Sequence, residues 1–256
     1  MIARRFALFA AVLALLCAVF TWGYATAAHK VFPFAVLERS GLTGSSGEQP
    51  ANSEYQLGHV PPISGERYSL LETQADVVML GDSITASGRW DELFPESSII
   101  NRGVNGDRVG GVLLRLPSVL QAEPDKVFIM IGINDVAARN TNPQILERYQ
   151  SVISGILAAG AKAYVQSVIP CRPNPYGPCD PQMQAQIAEL NGQLETLARS
   201  LGAVYVPVGE TLSGPQGVLE TYSKDGIHPS AQGFVKWQAL IKPMILDTSE
   251  TEDTPS

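Results

Sequence analysis

Five short runs of the chain, residues 76–80, 98–101, 126–132, 161–169 and 203–208, are almost continuously apolar. A strand with one wet face alternates apolar and polar side chains, so an unbroken run marks a strand covered on both faces. Between the runs the period changes to that of a helix. Asn142-Pro143 supplies an N-cap and a proline at the first helical position. Ile145, Leu146, Tyr149, Val152, Ile153, Ile156 and Leu157 then come at helical spacing until Gly160 stops the run. Asp180-Pro181 opens a second helix, with Met183, Ile187, Leu190, Leu194 and Leu197 on one face and Gly202 after it. A last helix over 230–246 carries Phe234, Trp237, Leu240 and Ile241. These stripes read as core. Strand and helix in alternation predict an α/β fold: a three-layer α/β/α sandwich around a five-stranded parallel sheet with right-handed crossovers. Ligands bind such sheets at the carboxyl ends of the strands, which is where chemistry is to be sought.

The flanks divide the chain further. Arg4 and Arg5 precede an uncharged stretch from Phe6 to Ala28, long enough to span a bilayer as a helix. Positive charge before an apolar run keeps that end in the cytoplasm and exports the remainder of the chain. Ala25-Thr26-Ala27 has the small-x-small form of a signal cleavage site, so the segment reads as either a signal peptide or a retained anchor. Its length, and Trp22 and Tyr24 at an interfacial position, favour an anchor in the inner membrane with the domain facing the periplasm. Residues 1–30 are thus the anchor or signal helix. Residues 31–72, rich in Gly, Ser and Pro, read as a linker wrapping onto the domain. The domain itself covers 73–246, and 247–256 is an acidic tail without apolar side chains, expected to be disordered.

Charge excludes one class of partner. The chain has 18 Lys and Arg against 25 Asp and Glu, with no basic stripe of the kind that nucleic acid requires. Cys171 and Cys179 bracket the loop CRPNPYGPC. Their spacing is not a zinc pattern, and no histidine cluster completes one. In an oxidising compartment they could close that loop as a disulfide; two free thiols are the alternative.

Four polar elements fall at strand ends. Gly81-Asp82-Ser83-Ile84-Thr85 follows the first strand, where a serine can present its hydroxyl at the sheet edge. Asn101-Arg102-Gly103-Val104-Asn105-Gly106-Asp107 follows the second; glycine lets a backbone amide approach a substrate, and Gly106 by itself reads as a tight turn. Gly132-Ile133-Asn134-Asp135 follows the third, and a side-chain amide there suits a developing oxyanion. Asp225-Gly226-Ile227-His228-Pro229-Ser230 precedes the last helix. His29 abuts the apolar segment and His59 lies in the linker, which leaves His228 as the candidate base, with Asp225 able to orient it. Each fragment alone has an ordinary capping or turn role. Their convergence on one sheet edge is what points to chemistry.

GDSIT, the glycine of NRGVNGD, GIND and DGIHPS resemble, in order, the four blocks of the GDSL, or SGNH, hydrolase family. The resemblance runs over about 77–245 and implies that family's flavodoxin-like sandwich. It implies Ser83 as nucleophile, Asp225 and His228 as its relay, an oxyanion hole of Ser83, Gly103 and Asn134, and neither metal nor organic cofactor. Asp82 and Asp135 are expected to organise turns. The stretches GVNGDRVGGVLLRL, KVFIMIGINDV and DGIHPSAQGFVKW look most like the family's small-acyl, acetylhydrolase-like branch. The expected activity is therefore hydrolysis of short-acyl esters, with O-acetylated glycans as the target by analogy. A lysophospholipase or thioesterase, a polysaccharide O-acetyltransferase and a glycan-binding scaffold are the alternatives. No apolar lid segment interrupts the helices, which disfavours a long-chain lipase.

Overall fold

The computed structural model of the protein describes residues 74–173 and 179–247. Five strands form one sheet: β1 (Val77–Gly81), β2 (Ile99–Gly103), β3 (Lys126–Met130), β4 (Lys162–Gln166) and β5 (Val204–Val206). All pair in parallel, in the order β2-β1-β3-β4-β5. Every residue of β1 and β3 is buried, as unbroken apolar runs demand of strands covered on both faces. The ladders end sooner than the apolar runs do. Ile131 and residues 167–169 continue in extended or loop conformation beyond the sheet, still buried.

Helices fill both faces. α1 (Ser83–Ala86) and α2 (Trp90–Leu93) follow β1, and α3 (Val109–Leu120) follows β2. α4 (Ile133–Ala137) and α5 (Asn142–Ala158) follow β3, α6 (Pro181–Ser200) follows β4, and α7 (Val208–Leu212) and α8 (Ala231–Ile245) follow β5. A short hairpin, β6 (Ser213–Gly214) with β7 (Gly217–Val218), lies between the last two helices. The chain steps one way from β1 to β2 and the opposite way at every later crossover. With right-handed crossovers these two directions place helices on opposite faces. Accordingly α3, α5 and α6 pack side by side. Across the sheet, Trp90 of α2 meets Phe234 and Trp237 of α8 edge-on, with ring centroids 5.7 and 4.9 Å apart.

The expected sheet and the three long helices are present. α3 and the short helices are additions to the sequence reading. Asp247, expected to begin a disordered tail, instead pairs with Lys126 at 2.8 Å. The expected N-terminal helix, the linker and the rest of the tail lie outside the described residues. Among the described residues, no helix is long and apolar enough to cross a membrane.

The direction of the crossovers reverses between β1 and β3, and Gly81 pairs with both Gly103 and Met130. The carboxyl ends of β2, β1 and β3 therefore finish level, beside the switch point where such sheets bind ligands.

Candidate active site

Ser83 stands two residues beyond β1, as the first residue of α1. Asp82 caps that turn by accepting the Ile84 N–H at 2.9 Å, which fixes the backbone that carries Ser83. Asn101, in the middle of β2, also holds the same turn. Its side-chain amide reaches the carbonyls of Thr85, Ala86 and Gly88 at 3.0–3.1 Å, and the Trp90 indole donates to Thr85 O at 2.9 Å. A turn of four residues has little stability of its own, so these side chains supply what its few internal bonds do not.

Ser83 Oγ lies 3.0 Å from His228 Nε2, and His228 Nδ1 lies 2.7 Å from Asp225 Oδ2. An ionised carboxylate can only accept, so Nδ1 carries the proton and Nε2 is free to accept from the serine. Asp225 is itself constrained. Its Oδ1 accepts the Ile227 and His228 N–H groups at 2.9 and 2.8 Å and the Ser223 hydroxyl at 3.1 Å. Partial burial pushes its carboxyl up, but the His228 ring and the two amides outweigh that and bring it down to about 2. The carboxylate is thus charged at neutral pH. Both side chains are open to solvent, 42% exposed for His228 and 55% for Asp225.

Ser83, Gly103 and Asn134 are the expected oxyanion donors; the Asn134 side chain keeps an N–H available for that role, and the Gly103 amide does not. The Asn134 side-chain nitrogen donates to Asp107 O at 2.9 Å, and its other contact, Asp82 Oδ2 at 3.5 Å, is at the outer limit of a hydrogen bond. One N–H can therefore turn to a ligand. Gly103 is corrected. Its N–H is already donated to Asn101 Oδ1 at 2.9 Å. A Cβ there would stand 2.2 Å from Ala86 N and 2.8 Å from Asp82 O, so this glycine exists to let β2 pack against α1. Gly106 is the better placed of the two. It lies exposed at φ +75° in a turn closed by Asp107 N–H to Val104 O. Its N–H makes no hydrogen bond among the described residues. The next residue, Asp107, is the one whose carbonyl holds Asn134.

Beneath this surface lies a layer of buried charge. Arg115 of α3 donates to Asp107 Oδ2 at 2.8 Å and to Gly81 O at 3.0 Å, joining the turn after β2 to the end of β1. Asp135 accepts the Val109 N–H at 3.0 Å and the Asn140 amide at 3.2 Å. Asp82 has no cationic partner among the described residues. Burial raises its carboxyl to about 7 against the Ile84 amide, with the charges of Asp107 and Asp135 adding to the rise. Asp82 and Asp135 thus serve the turns, as expected, and both face inward. Sequence reading missed Asn101 and Arg115. Asn101 opens the polar element that follows the second apolar run, and Arg115 lies in α3, a helix the sequence patterns do not announce; only the fold shows what they reach.

Among the described residues no group of three or more His, Cys, Asp or Glu could hold a metal ion. Two cavities lie away from Ser83. One of about 460 Å³ opens at the amino ends of the strands beside Asp76, Lys126 and Lys162. Another, of about 470 Å³, lies where α5 and α6 begin. Chemistry rather than cavity size identifies the site. Cys171 and Cys179 are joined in a disulfide with Cα atoms 5.9 Å apart.

Comparison with known proteins agrees with this geometry. Residues 79–235 match the model of the GDSL-like Lipase/Acylhydrolase family. An arylesterase of Vibrio mimicus is 31% identical over 108 residues, 36% of this chain and 54% of that protein. The chain thus spans about half the length of that relative. Esterase TesA of Pseudomonas aeruginosa is 29% identical over 174 residues, 60% of this chain and 79% of that protein. A GDSL-like lipase of Bacteroides thetaiotaomicron superposes with a TM-score of 0.63 at 26% identity, covering 73% of this chain and 97% of the other. The chain belongs to the GDSL-like lipase/acylhydrolase family.

Proposed function

We propose that the chain is an exported serine esterase that hydrolyses short-acyl esters, acetyl groups on carbohydrate above all, through an acyl-enzyme on Ser83. The observation that carries this reading is the unbroken relay from Ser83 Oγ through His228 to Asp225, at 3.0 and 2.7 Å. His228 Nε2 takes the hydroxyl proton as Ser83 Oγ attacks the ester carbonyl. The oxyanion is met by the Ser83 and Gly106 N–H groups and the Asn134 amide. His228 then gives its proton to the leaving alcohol; water, deprotonated by the same nitrogen, attacks the acyl carbonyl, and His228 returns that proton to Ser83 Oγ as the acid departs. Asp225 stays ionised throughout and steadies the imidazolium.

Two observations support the finer parts of the reading. The relay is open to solvent, with His228 and Asp225 about half-exposed, and Asn105 and Gly106 in the turn after β2 are exposed as well. A bulky glycan can approach such an open relay, whereas a long acyl chain needs an apolar trough to leave water. The Cys171–Cys179 disulfide suits the oxidising side of a membrane, in keeping with the export expected from residues 1–30.

The test is a p-nitrophenyl ester series from acetate to palmitate, run on wild type and Ser83→Ala. Expected are a maximum at acetate, its loss in Ser83→Ala, and labelling of wild type alone by a fluorophosphonate. A maximum at long chains would sink the short-acyl reading, and an active Ser83→Ala would sink the mechanism. Release of free acetate from an acetylated xylan, rather than transfer to an added glycan, separates hydrolase from transferase.

A further inference from the structure

Arg172 connects two parts of the molecule that the proposed reaction must keep in register. β4 ends at Gln166, and the chain runs on through Ser167 and Val168 to Cys171 and Arg172. Each step of this extension is tied down. Ser167 N–H donates to Val206 O at 3.0 Å. The Asn191 side chain both accepts from Val168 N–H and donates to Val168 O, each at 2.9 Å. Pro170 O accepts Val218 N–H at 2.8 Å, and Cys171 O accepts the Gln184 amide at 2.9 Å. Cys171 is fully buried and bonded to Cys179, just before the N-cap of α6. Arg172 therefore starts from a rigid mount.

From that mount it reaches the loop that carries the acid and the base. Its N–H donates to Gly226 O at 2.8 Å, and its guanidinium Nη2 donates to Ser223 O at 3.0 Å. These two carbonyls lie on either side of Asp225. Other hydrogen bonds here join parts of the loop to one another: the Ser223 hydroxyl and the Ile227 and His228 amides to Asp225 Oδ1, the His228 ring to Asp225 Oδ2, and Ser230 N–H to Tyr222 O at 2.7 Å. They fix the shape of the loop, but not its distance from the end of β1, where Ser83 sits. Arg172 ties the loop to the sheet.

We infer that Arg172 is a positioning residue for catalysis: it holds the Asp225–His228 loop at the separation from Ser83 that proton transfer requires. The inference rests on the relay reading of the preceding subsection. A displacement of about 1 Å between reacting groups can cost on the order of a hundredfold in rate without touching substrate. The loss should therefore fall on kcat rather than on KM.

The experiment compares the full-length wild type with Arg172→Met, Arg172→Lys and Ser83→Ala on p-nitrophenyl acetate. Competent sites are counted by complete fluorophosphonate labelling, and Tm is measured alongside. In Arg172→Met, kcat per labelled site should fall about tenfold or more with KM little changed. Arg172→Lys, which restores a donor long enough to reach Ser223 O, should recover most of the loss. Unchanged kcat per labelled site in Arg172→Met, with or without a lower Tm, would overturn the inference. So would a lysine variant no better than the methionine one. If Arg172→Met does not fold, Arg172→Gln, too short to span to Ser223 O, takes its place with the same expectation. Activity retained by Ser83→Ala would instead defeat the relay itself, independently of Arg172.

Discussion

Two glycines three positions apart show how much a single residue's surroundings decide. Gly103 and Gly106 both follow β2, and either could offer an amide to an oxyanion. Their identities alone do not distinguish them, because the distinction lies in Asn101, whose side chain takes the Gly103 N–H, and in α1, which fills the space beside Gly103. The same substitution should therefore have opposite results at the two positions. Gly103→Ala should collapse the packing of α1 on β2, since the new Cβ would meet backbone at 2.2 Å, and it should show as a large loss of Tm together with activity. Gly106→Ala has open space around its Cβ and meets only the left-handed backbone penalty, about 1–2 kcal/mol, so it should stay folded by circular dichroism. Asn134→Ala should also fold normally and lose on the order of 10²–10³ in kcat, the cost of one oxyanion donor. A wild-type rate in Asn134→Ala would remove that residue from the hole. Ser83, His228 and Asn134 were legible in the sequence because each stands at the end of a readable strand or the start of a readable helix. Asn101 was not: its role is tertiary, a side chain in the middle of β2 serving carbonyls in α1 and just beyond it.

At the scale of elements, α3 does more than cover the sheet. It delivers Arg115, side chain 2% exposed, to the ion pair with Asp107 and to the carbonyl of Gly81, so it fastens the turn behind Asn134 to the strand behind Ser83. Removing one member of a buried pair leaves the other charge uncompensated, at about 3–5 kcal/mol. Arg115→Met should therefore lower the unfolding free energy by that order in urea titrations, whereas Arg139→Met, which breaks the exposed pair with Asp180, should change it by about 1 kcal/mol or less. Equal effects would mean that the buried pair contributes nothing beyond a surface one. This helix was the one long element that the sequence reading omitted. Val109, Val112, Leu116 and Val119 do stand at helical spacing and are buried. Gly110, Gly111 and Pro117 inside the same stretch argue against a helix, and they obscured the period. The strands and the helices α5 and α6 carried no such cluster of breakers, and α8 forms with Gly233 and Pro243 inside it. Asp180 caps α6 as its sequence suggests, whereas α5 is corrected by one residue: Thr141 is its N-cap, with Gln144 completing a capping box, and Asn142 is already helical.

For the molecule as a whole, stability should depend on pH through the carboxylates that the site keeps buried. Unfolded, Asp82 titrates at its ordinary 3.8; folded, burial above all raises it to about 7. The folded state thus holds this proton more tightly. The stability so gained is full below pH 3.8 and is lost as pH rises through about 7. Asp225 acts in the opposite sense and lower on the scale: its folded value of about 2 stabilises the protein above pH 3.8 and that contribution disappears as pH falls through 2. Burial raises Asp107 and Asp135 as well, Asp107 against the charge of Arg115, so they steepen the same decline as Asp82. The net charge of −7 at neutral pH grows less favourable to a compact state in that direction too. Wild-type Tm should therefore decline between pH 4.5 and 8. Asp82→Asn keeps an oxygen for the Ile84 N–H but cannot ionise, so it should flatten that decline. The gain over wild type should be small at pH 4.5 and reach a few kcal/mol at pH 8, because each tenfold difference in proton affinity between the folded and unfolded states is worth ~1.4 kcal/mol. Thermal melts of the two proteins across this range read the difference directly. Parallel curves would mean that Asp82 is ionised with its ordinary affinity in the folded protein, and that the buried charge beneath Ser83 is stabilised by something other than its own proton.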